Sequence, residues 1–391
     1  MSRVCGSCGA QATASAIALM LLLVPAAGRA QIVVSSNDQK ISWANGIVTQ
    51  VPNPPPDTAN VIDMNVFPPR IVATLDVPGG VSGPPQAVAI TPDEAIALVT
   101  SSQKPDPATP GRIVNNDVLT VIDLQARPPV VSATLHTGGQ AGGVSINRAG
   151  TLALVATRTD GGVAVFSISG KTVTPVGKVE ICSDDCHPAM PVFTPDGRTA
   201  LVTRFNDHKV SILSVDGTKV EYTKRDISAN LKPYPMEMSP RSAVAVVSNV
   251  GNGLVGGADT LSVIDLTGTL PRVASTVSVR PLPEGVSISP DGHFVAAASM
   301  NGSNSPPTSP LFNDYGVLQI FRMSGTTLTP VTEARVGHWC QGVAWNRKGD
   351  TLLVQCAEKE LRIFRFDGHM LTPSGALKVG GIPTGIRIAQ P

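Results

Sequence analysis

Short apolar runs alternate with polar turns along almost the whole chain, and one such unit is written several times over. PPQAVAITPDEAIALVT (84–100) and HPAMPVFTPDGRTALVT (187–203) share an apolar run, a turn built on Pro-Asp and a second apolar run. The pattern recurs as QAGGVSINRAGTLALVAT (140–157), PYPMEMSPRSAVAVVSN (233–249), LPEGVSISPDGHFVAAAS (282–299) and CQGVAWNRKGDTLLVQC (340–356). Taking the residue before each turn as an anchor gives Thr91, Asn147, Thr194, Ser239, Ser289 and Asn346, spaced by 45 to 57 residues. A period near fifty marks a chain built from one supersecondary unit that must stack to bury its apolar faces.

Each copy reads as a β-hairpin, because its runs are short, rich in Val, Ile, Ala and Leu, and joined by Asp, Asn, Gly and Pro. A second hairpin follows each one, as in VAVFSISGKTVTPV, VSILSVDGTKVEYT, LQIFRMSGTTLTPV and LRIFRFDGHMLTPS, with LTVIDLQARPPVVSATL and LSVIDLTGTLPRVASTV as variants. One repeat is therefore four antiparallel strands, named a to d. With no helical periodicity between repeats, such units predict propeller blades and not a sandwich. At the N-terminal end QIVVSS, ANVIDM and PPRIVATLDV read as b, c and d without an a, while GIPTGIRIAQP at the other end reads as a alone. Joined, they complete a seventh blade and close the ring, which leaves few free sheet edges. The predicted fold is all-β: a seven-bladed β-propeller over residues 31–391.

The wording HP…TPDGRTALVT, followed by VTRFND and VSILSVDG, resembles the YVTN-type and lactonase-like seven-bladed propellers of bacterial secreted proteins. The resemblance covers nearly all of the chain after residue 30, and its motifs mark turns and strands. It implies the same fold and, as an activity, ring opening of a lactone or sugar-acid substrate at the channel mouth, where acid, base and Arg groups gather. His187, at the start of a strand a, stands where a His of that family would. Arg204, in VTRFND, stands where that family often shows a carboxylate.

Residues 1–30 read as a signal peptide: Arg3, then the apolar AIALMLLLVPAA, then Gly28-Arg29-Ala30. The expected location is the periplasm or outside the cell, with no membrane span after cleavage. Net charge is +1 with 15% charged residues and no Lys/Arg cluster, so nucleic acid is not an expected partner. Beyond residue 30 four cysteines remain, an even number suited to an oxidising compartment. Cys340 and Cys356 lie either side of the turn at Lys348, facing each other across strands a and b, and Cys182 and Cys186 share one short loop. Two disulfides are expected, with reduced buried thiols as the alternative. The spacing CSDDCH has too few ligands for a zinc site.

In a blade the a–b and c–d turns emerge on one face and the b–c and d–a loops on the other. The first kind are short here. The second include 101–117, 249–259, 299–315 and CSDDCH, which makes their face the place for recognition. Strand a is innermost, so its first residues ring the channel mouth: Gln86, Tyr234, Glu284 and Gln341, with Arg158 and Trp339 nearby, are the candidate binding residues. His187, Glu284, Arg204 and His338 are the candidate catalytic groups, since a His beside a carboxylate can act as a base and an Arg can stabilise an oxyanion. The bland alternative is a polar rim around a wet channel. No nucleophile elbow, phosphate loop, HExxH or CxxCH is present. Two functions stay open: binding of a small molecule or protein partner without chemistry, and lactonase-like hydrolysis. No cofactor is predicted, and a divalent metal is left open.

Overall fold

The computed structural model describes residues 1–3, 5–6, 31–251 and 259–389. It contains seven four-stranded antiparallel sheets. The a strands of blades 1 to 7 are Val88–Ile90, Ala141–Ile146, Pro188–Phe193, Pro233–Met238, Pro283–Ile288, Val343–Trp345 and Ile382–Ile388. Blade 7 is the shared one: Ile382–Ile388 pairs with Ile32–Asp38, which pairs with Thr58–Asp63 and then Arg70–Asp76. The proposed signal peptide, residues 1–30, lies almost wholly outside the described residues. Among the described residues no helix is long and apolar enough to cross a membrane.

Burial falls from the axis outward, which explains the sequence pattern strand by strand. The b strand of blade 2, Leu152–Thr157, is buried at every residue and reads as an apolar run, LALVA, ending in Thr157. The d strand of blade 7, Arg70–Asp76, alternates exposed and half-buried positions, and its sequence alternates too. Each core lies between neighbouring sheets: Ile96, Leu98 and Leu119 of blade 1 pack with Val155 and Phe166 of blade 2. The VIDL aspartates cap the turns after strand c, Asp123 accepting from the N–H groups of Gln125 and Ala126, and Asp265 from that of Thr267.

Two details differ from the sequence reading. An extra hairpin, Ile41–Ala44 with Ile47–Gln50, lies between strands b and c of blade 7. Its tip residue Gly46 has φ +76 and approaches the Ser305–Pro306 backbone so closely that a Cβ would not fit. The connection 101–117 is mostly strand, since b and c of blade 1 extend to Pro105 and from Ile113.

Both expected disulfides are formed, Cys182 with Cys186 and Cys340 with Cys356. The second pins strand b of blade 6 to the segment before strand a, with Cα atoms 4.0 Å apart. Replacing both Cys340 and Cys356 by Ala is expected to lower unfolding free energy by about 2–4 kcal/mol, measured by urea denaturation without reductant. A change below about 0.5 kcal/mol would show that the bridge does not constrain this blade.

Candidate functional site

The a strands of blades 2 to 5 share a defect at the channel mouth. Their pairing to strand b slips between Ala141 and Val144, Pro188 and Pro191, Pro233 and Met236, and Pro283 and Gly285. Such bulges re-aim side chains, and here they fall on the rim positions. Just before strand a, His187, Lys232, Leu282 and Trp339 all have positive φ, between 43 and 55. Left-handed backbone at four non-glycine residues in equivalent places is costly, and it sets the direction in which the chain enters each of these strands. The bulge at Glu284 is completed by Gly285, where a Cβ would stand 2.2 Å from the Gln341 carbonyl oxygen. Glycine there lets blade 6 bring Gln341 against Glu284.

The centre of the mouth is Arg158, which follows the b strand of blade 2. It is 8% exposed, and its Nε and Nη1 have no hydrogen-bond partner. Its guanidinium lies 5.7 Å from the Tyr234 ring centroid and 6.0 Å from that of Phe205. Glu284 stands within electrostatic range of it. Glu284 keeps part of its surface open to the lumen while protein encloses it; that enclosure pushes its carboxyl up to about 7, against the pull of Arg158 and a hydrogen bond from Gln341. His187 is pushed below its ordinary value, first by burial and then by Arg158, and is neutral at pH 7. Burial raises the Tyr234 hydroxyl far above its usual range, so it stays protonated. Lys232 lies 5.3 Å from the Phe205 ring and adds a second cation. Ala189, Tyr234, Val250, Leu282 and Met300 form an apolar wall with Phe205 and Trp339 packed on it.

The structure thus brings together Arg158, Glu284, Tyr234, Gln341, His187 and Trp339 from five blades. Other candidates are engaged elsewhere. Arg204 pairs with Asp207 and with Asp226, the latter at 3.1 Å, and so is tied within blade 3. His338 is held between Glu358 and Asp314. Gln86 crosses the bore, its amide donating to the Met236 carbonyl at 3.1 Å and accepting the Met236 N–H at 3.3 Å. That bond satisfies the free inner edge of strand a in blade 4. Phe205, Lys232 and Leu282 escaped the sequence reading; Lys232 and Leu282 are the residues before strand a of blades 4 and 5, and Phe205 directly follows strand b of blade 3. Among the described residues no group of three or more His, Cys, Asp or Glu is placed to hold a metal ion.

A cavity of about 280 Å³ opens toward the short-turn face. Its wall is a ring of the residues that precede each anchor, among them Ile90, Phe193, Met238, Ile288 and Trp345. The charges facing it from the strands, Glu237 and Arg387, bond each other across the bore. The mouth at Arg158 differs in having unpartnered polar atoms, and for that reason it is the candidate site.

No protein-family model matches the chain, and no curated protein matches it. Solved structures do. A periplasmic gluconolactonase of Pseudomonas aeruginosa is 16% identical, with a TM-score of 0.65 over 93% of this chain and 99% of its own. A Bacteroides fragilis protein proposed to be a 6-phosphogluconolactonase is 15% identical, with a TM-score of 0.69 over 92% of this chain and 98% of its own. Hydrazine synthase of Kuenenia stuttgartiensis is 16% identical, with a TM-score of 0.61 over 80% of this chain and 91% of its own. At these identities the likeness establishes a seven-bladed propeller, a fold shared by lactonases and by proteins of quite different chemistry.

Proposed function

We propose that the protein binds a small hydroxy acid or its lactone at the long-loop mouth of the channel and opens the lactone ring there by hydrolysis. The observation that carries this reading is the buried Arg158 guanidinium with two nitrogens unpartnered. A buried charge left without partners costs stability and is kept where a ligand supplies them. A lactone carbonyl oxygen, the oxyanion it becomes and the product carboxylate are three acceptors in sequence for one guanidinium.

Glu284 supplies the proton chemistry. With its carboxyl near 7 it is partly ionised at neutral pH and can act as base and then acid. It takes a proton from water as the water oxygen bonds the carbonyl carbon. It returns that proton to the ring oxygen as the ring carbon–oxygen bond breaks. The product acid loses its own proton to solvent and leaves as a carboxylate from Arg158. Gln341 holds Glu284 in place, and Tyr234, Phe205 and Trp339 exclude bulk water. The lactonase names of two structural neighbours support the choice of substrate class. The two disulfides support work in an oxidising compartment outside the cytoplasm.

Thermal shift and calorimetry with gluconate, glucono-lactone and their 6-phosphates, with and without chelator, test this. The expected result is stabilisation by the carboxylates, lost on Arg158→Met, and consumption of a lactone. Without ligand, Arg158→Met should be as stable as the parent or more so, because a buried unpartnered charge is gone. Undiminished carboxylate affinity in that variant would overturn the assignment. Carboxylate binding with no lactone consumed would leave a binding protein without chemistry.

A further inference from the structure

One imidazole beside this chamber touches three separate segments. His338 Nδ1 is 2.7 Å from Glu358 Oε1, and its Nε2 is 2.9 Å from Asp314 Oδ1. Its backbone N–H also donates to Glu358 Oε1 at 2.7 Å. The Trp43 ring, on the hairpin of blade 7, lies 5.0 Å from the imidazole. Glu358 follows strand b of blade 6, and Asp314 lies near the end of the long b–c connection of blade 5. The next residue, Trp339, donates its backbone N–H to Ser303 Oγ of that connection at 3.0 Å, and its side chain packs on the chamber wall with Met300.

An imidazolium has two N–H donors and a neutral imidazole has one. Both carboxylates can therefore be bonded only by the charged form. When the proton leaves, one ring nitrogen faces a carboxylate as a lone pair. Glu358 still holds the backbone N–H of His338. Asp314 has its side chain 81% exposed, so water can take over its solvation. The contact that yields is the one to Asp314.

Few other charges bear on this titration. The hairpin 41–50 has none, and Lys40 at its foot is taken up by Asp38 and Asp57. Asp314 is the sole charged residue of 300–316, and Arg335 lies 4.1 Å from the Tyr315 ring centroid. Beyond Glu358, Lys359 is exposed and Glu360 pairs with Lys378 and Arg362.

We propose that His338 is a protonation latch on the channel mouth: charged, it ties the 300–316 connection and the 41–50 hairpin to blade 6 and positions Trp339 in the chamber wall; neutral, it releases Asp314 and loosens them. Control of ligand entry by this latch rests on the chamber being the functional site, whereas the latch itself does not. Burial alone would lower the imidazole, but the bonds to Glu358 and Asp314 outweigh burial and hold it above 6.5. A group raised in the folded state contributes its stability below its unfolded value and loses it as pH rises through the folded one. The connection is tied in mild acid and loosens as pH climbs above 6.5.

Hydrogen exchange of 300–316 and 41–50, followed by mass spectrometry of the ligand-free protein from pH 5.5 to 9 and corrected for intrinsic rates, reads the latch. Protection should fall about tenfold across this range in the parent and be flat in His338→Gln. Asp314→Asn, a surface change that spares the fold, should flatten the profile for 300–316. Tryptophan emission should rise over the same range, as a charged quencher beside Trp43 is lost, and should not rise in His338→Gln. Flat protection in the parent, or the parent's profile in both variants, overturns the proposal. A pH-dependent profile in a protein that binds no hydroxy acid upholds the latch and counts against the chamber reading.

Discussion

Glu284→Gln is expected to lower lactone turnover by about 10²–10⁴-fold, the range general acid–base groups supply. Gluconate binding should persist, because Arg158 is untouched and a neutral Gln repels the carboxylate less than Glu284 does. In the parent, turnover should climb with pH and level off above about 7, since the base must be ionised to take a proton from water. Stability moves the opposite way. Glu284 titrates higher in the folded chain than in the unfolded one, so the fold favours its protonated form. Stability conferred by that form is full below the ordinary value of 4.5 and is lost as pH rises through about 7. Glu284→Gln has no such loss, and its advantage over the parent should grow from pH 4.5 to 7 and stay constant beyond. Steady-state rates and urea denaturation, both from pH 5 to 9, check the two halves. A Gln variant that turns over lactone at the parental rate would remove Glu284 from the mechanism.

The ring was legible because its signal is periodic. Six anchors fixed the blades, and the orphan b, c and d strands at one end matched the orphan a strand at the other. Those anchors also placed Glu284, Gln341 and Tyr234 at the mouth, because a fixed offset from a turn is a fixed height on strand a. Arg204 and His338 show where counting fails. An offset gives height along a blade but not the partners waiting there, and Asp207, Asp226, Asp314 and Glu358 engage these two cations locally. The bulges at Ala141, Pro188, Pro233 and Pro283 were hidden because a bulge inserts a residue without a composition of its own. The hairpin 41–50 was hidden because ISWANGIVTQ is one hairpin in a chain of hairpins, and nothing local says that it stands outside a blade.

Arg387→Met is expected to destabilise the ring by about 3–5 kcal/mol, the cost of stripping one partner from a buried ion pair. Arg387 sits in the closing strand, where it pairs in register with Val34, and its Nη1 reaches Glu237 Oε2 of blade 4 across the bore. The two side chains are 9% and 6% exposed. Methionine fills much of the arginine volume but leaves Glu237 a buried carboxylate without this cation. If loss of this cation from beside the Glu237 carboxylate is the cause, removing the carboxylate should restore most of the loss. Glu237→Leu with Arg387→Met should then be more stable than Arg387→Met alone, since apolar replacement of a buried pair is often neutral. Urea denaturation of the parent, both single variants and the double variant gives the coupling directly. Arg387→Met within about 0.5 kcal/mol of the parent would show that the closing strand is held by its ladder to Ile32–Asp38 alone. Carboxylate affinity at Arg158 should be unchanged in all three variants, because the Gln86–Met236 bonds cross the bore between the two ends.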